Sequence, residues 1–218
     1  MDTYTAIKNI TKNIIKKTLA AAVGLIFVGQ IAAQTIQLPA PNKTGGMPLM
    51  EALSARQSTR AGYVNEPLDK QTLADLLWAA YGFNRADKRT VPSAMNMQEF
   101  SIYVLTEDGA YLYDAKANTL TLVAKGSLKS MLAPQQAYVK DVPVHLAFVG
   151  DTGKSNGSSD ALLMDVGYIS QNVYLYAASK GLGTVARGSF DRAKLPQALK
   201  LKEGQSVVLV QAIGRVKK

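Results

Sequence analysis

The chain of 218 residues has no cysteine, one histidine and one tryptophan. The missing cysteine excludes disulfides, thiolate nucleophiles and cysteine-ligated metals within this chain. A Ser-His-Asp hydrolase or a histidine-ligated metal site would have to use His145. That residue stands inside the apolar run 142–149 with no partner motif, so it reads as a structural strand histidine and no metal is expected. Lys/Arg runs interleaved with aromatics are lacking, which argues against nucleic acid as a partner. A dinucleotide fingerprint is lacking too. Gly181, Gly183 and Gly188 have the wrong spacing and follow a helical pattern instead of leading into one.

What is present is a globular composition, 47% hydrophobic and 19% charged, with a net charge of +9. The basic residues begin early. Lys8, Lys12, Lys16 and Lys17 precede the apolar run 19–29, and small residues follow at Ala32 and Ala33. This order reads as a signal peptide over 1–33, cut after Ala33, which would export the mature chain to the periplasm or another extracytoplasmic space. The apolar run is short for a span of about 20 residues, so no stable membrane insertion is expected after cleavage. An uncleaved anchor and a buried N-terminal helix are the alternatives. Cleavage removes four lysines and one aspartate, leaving 21 basic and 15 acidic residues. The remaining positive excess favours anionic ligands or surfaces.

Residues 34–46, with Pro39, Pro41, Gly45 and Gly46, form an expected extended lead-in, and 47–218 one domain. Pro48 suits the first turn of a helix that delivers Arg56 to Arg60. Asp69 is a candidate N-cap for a helix with Leu73, Leu76, Leu77 and Ala80 on one face, ending at Gly82. Residues 84–91 read as a loop, and Pro92 as the start of a short helix. Strands are expected over 100–106, 110–113 and 119–123, the first two joined at Asp108-Gly109. A broken helix is expected over 127–139, a central strand buried on both faces over 142–149, and a loop over 151–159. The longest helix should run from 160 to 180, followed by a short strand over 184–186, a helix capped by Asp191, and a last strand over 207–213.

Two polar motifs carry the chemistry. Arg56-Gln57-Ser58-Thr59-Arg60 sets a hydroxyl between two arginines, and either a helical or an extended backbone converges these side chains. Guanidinium forks and a hydroxyl suit a phosphate dianion; a solvated basic helix end is the alternative. Pro92-Ser93-Ala94-Met95-Asn96-Met97-Gln98 offers small residues and amides that could meet the donor–acceptor edge of a flavin, or simply cap a short helix. Asp165 and Asn172 lie on nearly one face of the long helix and read as interhelical hydrogen-bonding positions.

In order and spacing these segments resemble the nitroreductase-like flavoproteins, over nearly all of 47–217. The likeness also takes in Asp165-Val166-Gly167 with Gln171-Asn172, the run from Gly181 through Gly188-Ser189-Phe190-Asp191, and Ile213-Gly214 with Lys217. It implies an α+β sandwich, a mostly antiparallel sheet flanked by helices, in an intertwined homodimer with two flavins at the interface. Arg56, Gln57, Ser58, Arg60 and Lys217 would belong to the phosphate end of an FMN. Ser93, Ala94, Asn96 and Gln98 would reach it from the other subunit, and Gly188 and Ser189 would lie over the ring. Gln57, Ser189 and Arg215-Val216 depart from the commoner family residues. The resemblance further implies hydride passing from a reduced donor such as NAD(P)H through FMN to a small acceptor, a nitroaromatic or a quinone, by ping-pong turnover. No catalytic side chain is identified. Alternatives are an azoline-type peptide dehydrogenase, a flavin-binding or storage protein without turnover, and a basic surface-binding protein without flavin.

Overall fold

The computed structural model describes residues 34–132 and 135–217. The expected signal peptide, 1–33, lies outside them. Among the described residues nine strands and four α-helices follow in chain order: β1 (Thr35–Gln37), α1 (Leu49–Ala55), α2 (Lys70–Tyr81), β2 (Phe83–Arg85), β3 (Lys88–Arg89), β4 (Phe100–Leu105), β5 (Gly109–Asp114), β6 (Thr119–Lys125), β7 (Val144–Asp151), α3 (Ser159–Lys180), β8 (Gly183–Arg187), α4 (Lys194–Ala198) and β9 (Gln205–Gly214). Seven strands form one sheet in the order β1-β6-β5-β4-β7-β9-β8, and each of its pairs is antiparallel.

The β7 sequence explains why the sheet needs cover on both faces. Alternate residues point to opposite sides, and every position from Val144 to Gly150 is buried. Val144, Leu146 and Phe148 pack with Leu73, Leu76 and Leu77 of α2 and Leu162, Val166, Ile169 and Val173 of α3. Ala147 and Val149 face a second layer holding Leu128, Leu132, Leu195 and Leu199. His145 is on that second side and is fully buried.

Helix ends follow local chemistry. Asp69 caps α2 by accepting from the Thr72 N–H at 2.8 Å. Ser158, two residues ahead of the expected start, caps α3 through the Ala161 N–H at 3.2 Å. Gly181 closes α3 at φ 64°, with the Leu182 N–H returning to the Ala177 carbonyl at 2.9 Å.

Three expectations need correcting. The lead-in 34–46 is not merely extended, because β1 pairs with β6 in the register Thr35↔Thr121. Residues 84–91 contain the β2–β3 hairpin. The span 127–139 forms two 3₁₀ turns, Lys129–Met131 and Ala137–Asp141, instead of a helix. Pro134 supplies no N–H, and either side of it is too short to propagate an α-helix.

One irregularity shapes the surface. β4 and β5 pair only over Tyr103↔Leu112, Val104↔Tyr111 and Leu105↔Ala110. Beyond Tyr103 the two strands part. Phe100 to Ile102 pair only with β7, and Tyr113 and Asp114 only with β6.

Candidate functional site

Residues 56–60 run extended beside β8. The Thr59 N–H donates to the Thr184 carbonyl at 2.8 Å. Ser58 Oγ lies 3.0 Å from the Tyr174 hydroxyl, which accepts the Ala186 N–H at 2.9 Å. Tyr174 thereby ties Ser58 to β8, and either hydroxyl can be the donor between them. The Arg56 guanidinium stacks over the same tyrosine ring, 5.2 Å from its centroid. Arg56 and Ser58 thus meet one residue, as the two-residue spacing on an extended backbone requires. The C-terminal segment joins them: the Lys217 N–H donates to the Gly62 carbonyl at 2.8 Å, and Tyr63 bridges to Val216. Gln57, Ser58, Arg60 and Lys217 are exposed. Arg56, Arg60 and Lys217 have no carboxylate partner among the described residues.

Gly188 and Ser189 follow β8 directly, two and three residues past Ala186, so this segment shares the neighbourhood of Tyr174. Both are exposed, and a Cβ at Gly188 would meet nothing within 4 Å. Arg187, just before them, turns inward. It is buried, donates to the Leu132 carbonyl at 3.2 Å, and lies 3.2 Å from His145 Nδ1. Arginine can only donate, so Nδ1 accepts and the histidine proton is on Nε2. Burial, then the Arg187 charge, lowers the His145 pKa to about 3, and the ring is neutral at physiological pH.

Ser93 to Gln98 form a separate, strained loop. Met95, Asn96 and Gln98 all have positive φ, at 51°, 59° and 50°, a conformation that costs a side-chain-bearing residue roughly 1–2 kcal/mol. Local bonds hold it. Ser93 Oγ accepts the Gln98 N–H at 3.0 Å, and Gln98 Nε2 donates to the Asp87 carbonyl at 2.7 Å. Arg89 Nε donates to Gln98 Oε1 at 2.9 Å. The Ala94 N–H reaches Asp165 Oδ2 at 3.0 Å. Asp165 therefore anchors this loop instead of another helix, while Asn172 does bond between helices, donating to the Ala79 carbonyl at 2.9 Å.

The first and second motifs do not meet in one protomer. One is anchored on Tyr174 and the other on Asp165, both on α3. Nine residues of helix place them about 14 Å apart along the axis and on opposite sides of it. Around the Asp165 anchor α3 exposes Leu163 (64%), Met164 (59%) and Tyr168 (48%), and Met95 in the loop is 86% exposed.

Tyr174 and Glu99 are parts of this region that the sequence did not mark. Glu99 is 1% exposed, and neither of its carboxylate oxygens has a hydrogen-bond partner. Burial, then the neighbouring Asp165 carboxyl, raises its pKa to about 7. An isolated Glu after a Gln carries no pattern, and Tyr174 is one of ten tyrosines.

The site therefore sets a basic extended segment, an exposed glycine after β8 and a C-terminal lysine at one side of an α+β sandwich. Comparison with known proteins specifies it. The model of the nitroreductase family matches residues 53–215. A relative from Methanocaldococcus jannaschii, named as a nitroreductase, is 31% identical over 182 residues, covering 77% of this chain and 90% of its own. A crystal structure from Ralstonia eutropha JMP134, also named as a nitroreductase, superposes with a TM-score of 0.77 at 35% identity, covering 86% of this chain and 92% of that one. An FMN-dependent nitroreductase from Clostridium difficile R20291 shares the fold, with a TM-score of 0.56 at 18% identity over 78% of this chain and 88% of its own. The chain belongs to the nitroreductase family, and it is an oxidoreductase.

Proposed function

We propose that the protein is an FMN-dependent oxidoreductase acting as a homodimer. The observation that carries the reading is the meeting of Arg56 and Ser58 at Tyr174, which also holds β8 just ahead of Gly188, with the Lys217 segment paired to the chain that follows Arg60. Their cations have no carboxylate to neutralise them, and the glycine turn leaves room for a close-lying ring. FMN is the cofactor in the name of the Clostridium difficile neighbour. When bound, FMN would supply the hydride-transfer chemistry between a reduced donor and an acceptor. Arg56, Arg60 and Lys217 would neutralise its phosphate, Ser58 would hydrogen-bond it, and the backbone at Gly188 and Ser189 would leave room for the ring. A small nitroaromatic or quinone is the proposed acceptor, and NAD(P)H the simplest donor.

The dimer reading rests on the separation of the two motifs on α3. Ser93, Ala94, Asn96 and Gln98 can serve the Arg56 site only from a second copy. The exposed apolar residues Met95, Leu163, Met164 and Tyr168 would lie at that junction. An exported location, proposed from residues 1–33, would favour a membrane quinol or partner reductase over NAD(P)H as donor.

The test is the absorbance spectrum of purified protein before and after titration with FMN, alongside Arg56→Gln. Paired near-ultraviolet and blue bands that bleach with NAD(P)H or dithionite, and FMN affinity at least tenfold weaker in Arg56→Gln, are expected. A flat spectrum with no FMN binding would refute the flavin reading. Bound flavin that no donor reduces would favour a storage protein.

A further inference from the structure

Where β4 and β5 part, the sheet opens into a cleft of about 370 Å³. Its walls include Tyr81, Phe83, Arg89, Tyr113, Lys116 and Lys154. Among the described residues none of the three cations is ion-paired. The cations and rings are interleaved. The Arg89 guanidinium lies over Phe83 and Tyr81, 3.9 and 4.4 Å from their centroids, and Lys116 lies over the same Phe83 ring at 5.7 Å. The one acid lining the cleft, Asp114, is engaged in the turn that follows it, accepting from the Lys116 and Ala117 N–H groups at 2.8 and 3.0 Å. The cleft therefore carries a net positive charge between flat apolar surfaces.

A partly desolvated guanidinium with no carboxylate is uncomfortable, and burial already pulls the Arg89 pKa down. Two of its nitrogens are committed, to Gln98 and to the Tyr81 carbonyl. The third is free to bind an oxyanion, which the two lysines would clamp from the rim. The size lies within the range of small-molecule sites.

We propose that this cleft binds a small aromatic oxyanion, its carboxylate or phosphate held by Arg89, Lys116 and Lys154 and its ring laid against Phe83 and Tyr113. The site is distinct from the proposed flavin site, since Arg56, Ser58, Gly188 and Lys217 do not line it. Of the residues assigned to the flavin, Gln98 alone lines the cleft, where it also holds Arg89.

The chain provides its own reporter. Its one tryptophan, Trp78, donates from Nε1 to the Phe83 carbonyl at 3.1 Å. Calorimetry with benzoate, phenyl phosphate and neutral benzamide measures binding on the purified protein, Trp78 fluorescence reports it through Phe83, and a variant at Lys154, which lines this cleft and not those lined by Trp78, locates it. Saturable binding of benzoate or phenyl phosphate with a change in Trp78 emission is expected, and preference between the two decides carboxylate or phosphate. The double variant Lys116→Gln, Lys154→Gln should weaken it roughly tenfold, because both lysines are on the rim and substitution leaves the core alone. Arg56→Gln should leave it unchanged, which separates this site from the flavin pocket. Equal binding of benzamide, an unchanged affinity in the double variant, loss in Arg56→Gln, or no saturable binding of any probe would each overturn the proposal.

Discussion

Glu99 makes the stability of this protein depend on pH in an unusual direction. Its carboxyl is buried against Asp165 on α3, with Tyr81 of α2 and Lys154 from the loop after β7 as the other titratable neighbours. Burial, then Asp165, raises its pKa from 4.5 to about 7. The folded state therefore holds this proton more tightly than the unfolded chain does. Its stabilising contribution is fully present below about pH 4.5 and is lost as pH rises through about 7. One pKa unit corresponds to about 1.4 kcal/mol, so the loss is at most roughly 3 kcal/mol, and partial hydration of the carboxylate would bring it nearer 1–2. Glu99→Gln is neutral at every pH and can donate to Asp165. Urea unfolding of both proteins at pH 5, 6, 7 and 8, at one protein concentration, measures the difference while other titrating groups cancel. The variant should match the parent near pH 5 and be more stable by roughly 1–3 kcal/mol at pH 8. A difference that stays constant with pH, or one that favours the parent at pH 8, would refute the reasoning.

Other substitutions probe the rest of the frame. Tyr174→Phe leaves the Ala186 N–H and Ser58 without their shared partner and should cost about 1–2 kcal/mol in urea unfolding, with weaker FMN binding in the same titration. Arg187→Met leaves His145 Nδ1 and the Leu132 carbonyl without a donor; thermal unfolding should show a loss of roughly 2–4 kcal/mol. Gly214→Ala would put a Cβ 2.5 Å from the Pro143 ring, which has no soft end to move, so a loss of about 2 kcal/mol or more is expected by the same measurement.

Much of the framework was legible because its rules are local. The apolar face of α2, the mostly apolar run of β7 and the glycine that ends α3 each follow from spacing within a dozen or two residues. The Arg56 and Ser58 pairing was legible for the same reason, since alternation decides which side chains share a face. What was not legible depends on distant partners. β1 is three residues without a strong pattern, and it becomes a strand because β6 offers it an edge. The role of Asp165 could not be read from α3 alone, because its partner is a backbone N–H 71 residues earlier. Tyr174 and Glu99 acquire their chemistry only from what folding places around them.

The β1 strand has one further consequence. A sheet margin with unsatisfied N–H and carbonyl groups is a template on which another extended chain can dock, and proteins commonly guard against this. On this side the guard is β1, supplemented by the Gln34 carbonyl, which takes the Leu122 N–H at 2.9 Å. On the other side the Thr59 N–H occupies the margin of β8. Trimming the chain up to Ala33 leaves this guard whole. Trimming it a few residues further would remove β1 and bare the β6 edge to another extended chain, so the sheet itself limits how far the N-terminal side can be shortened.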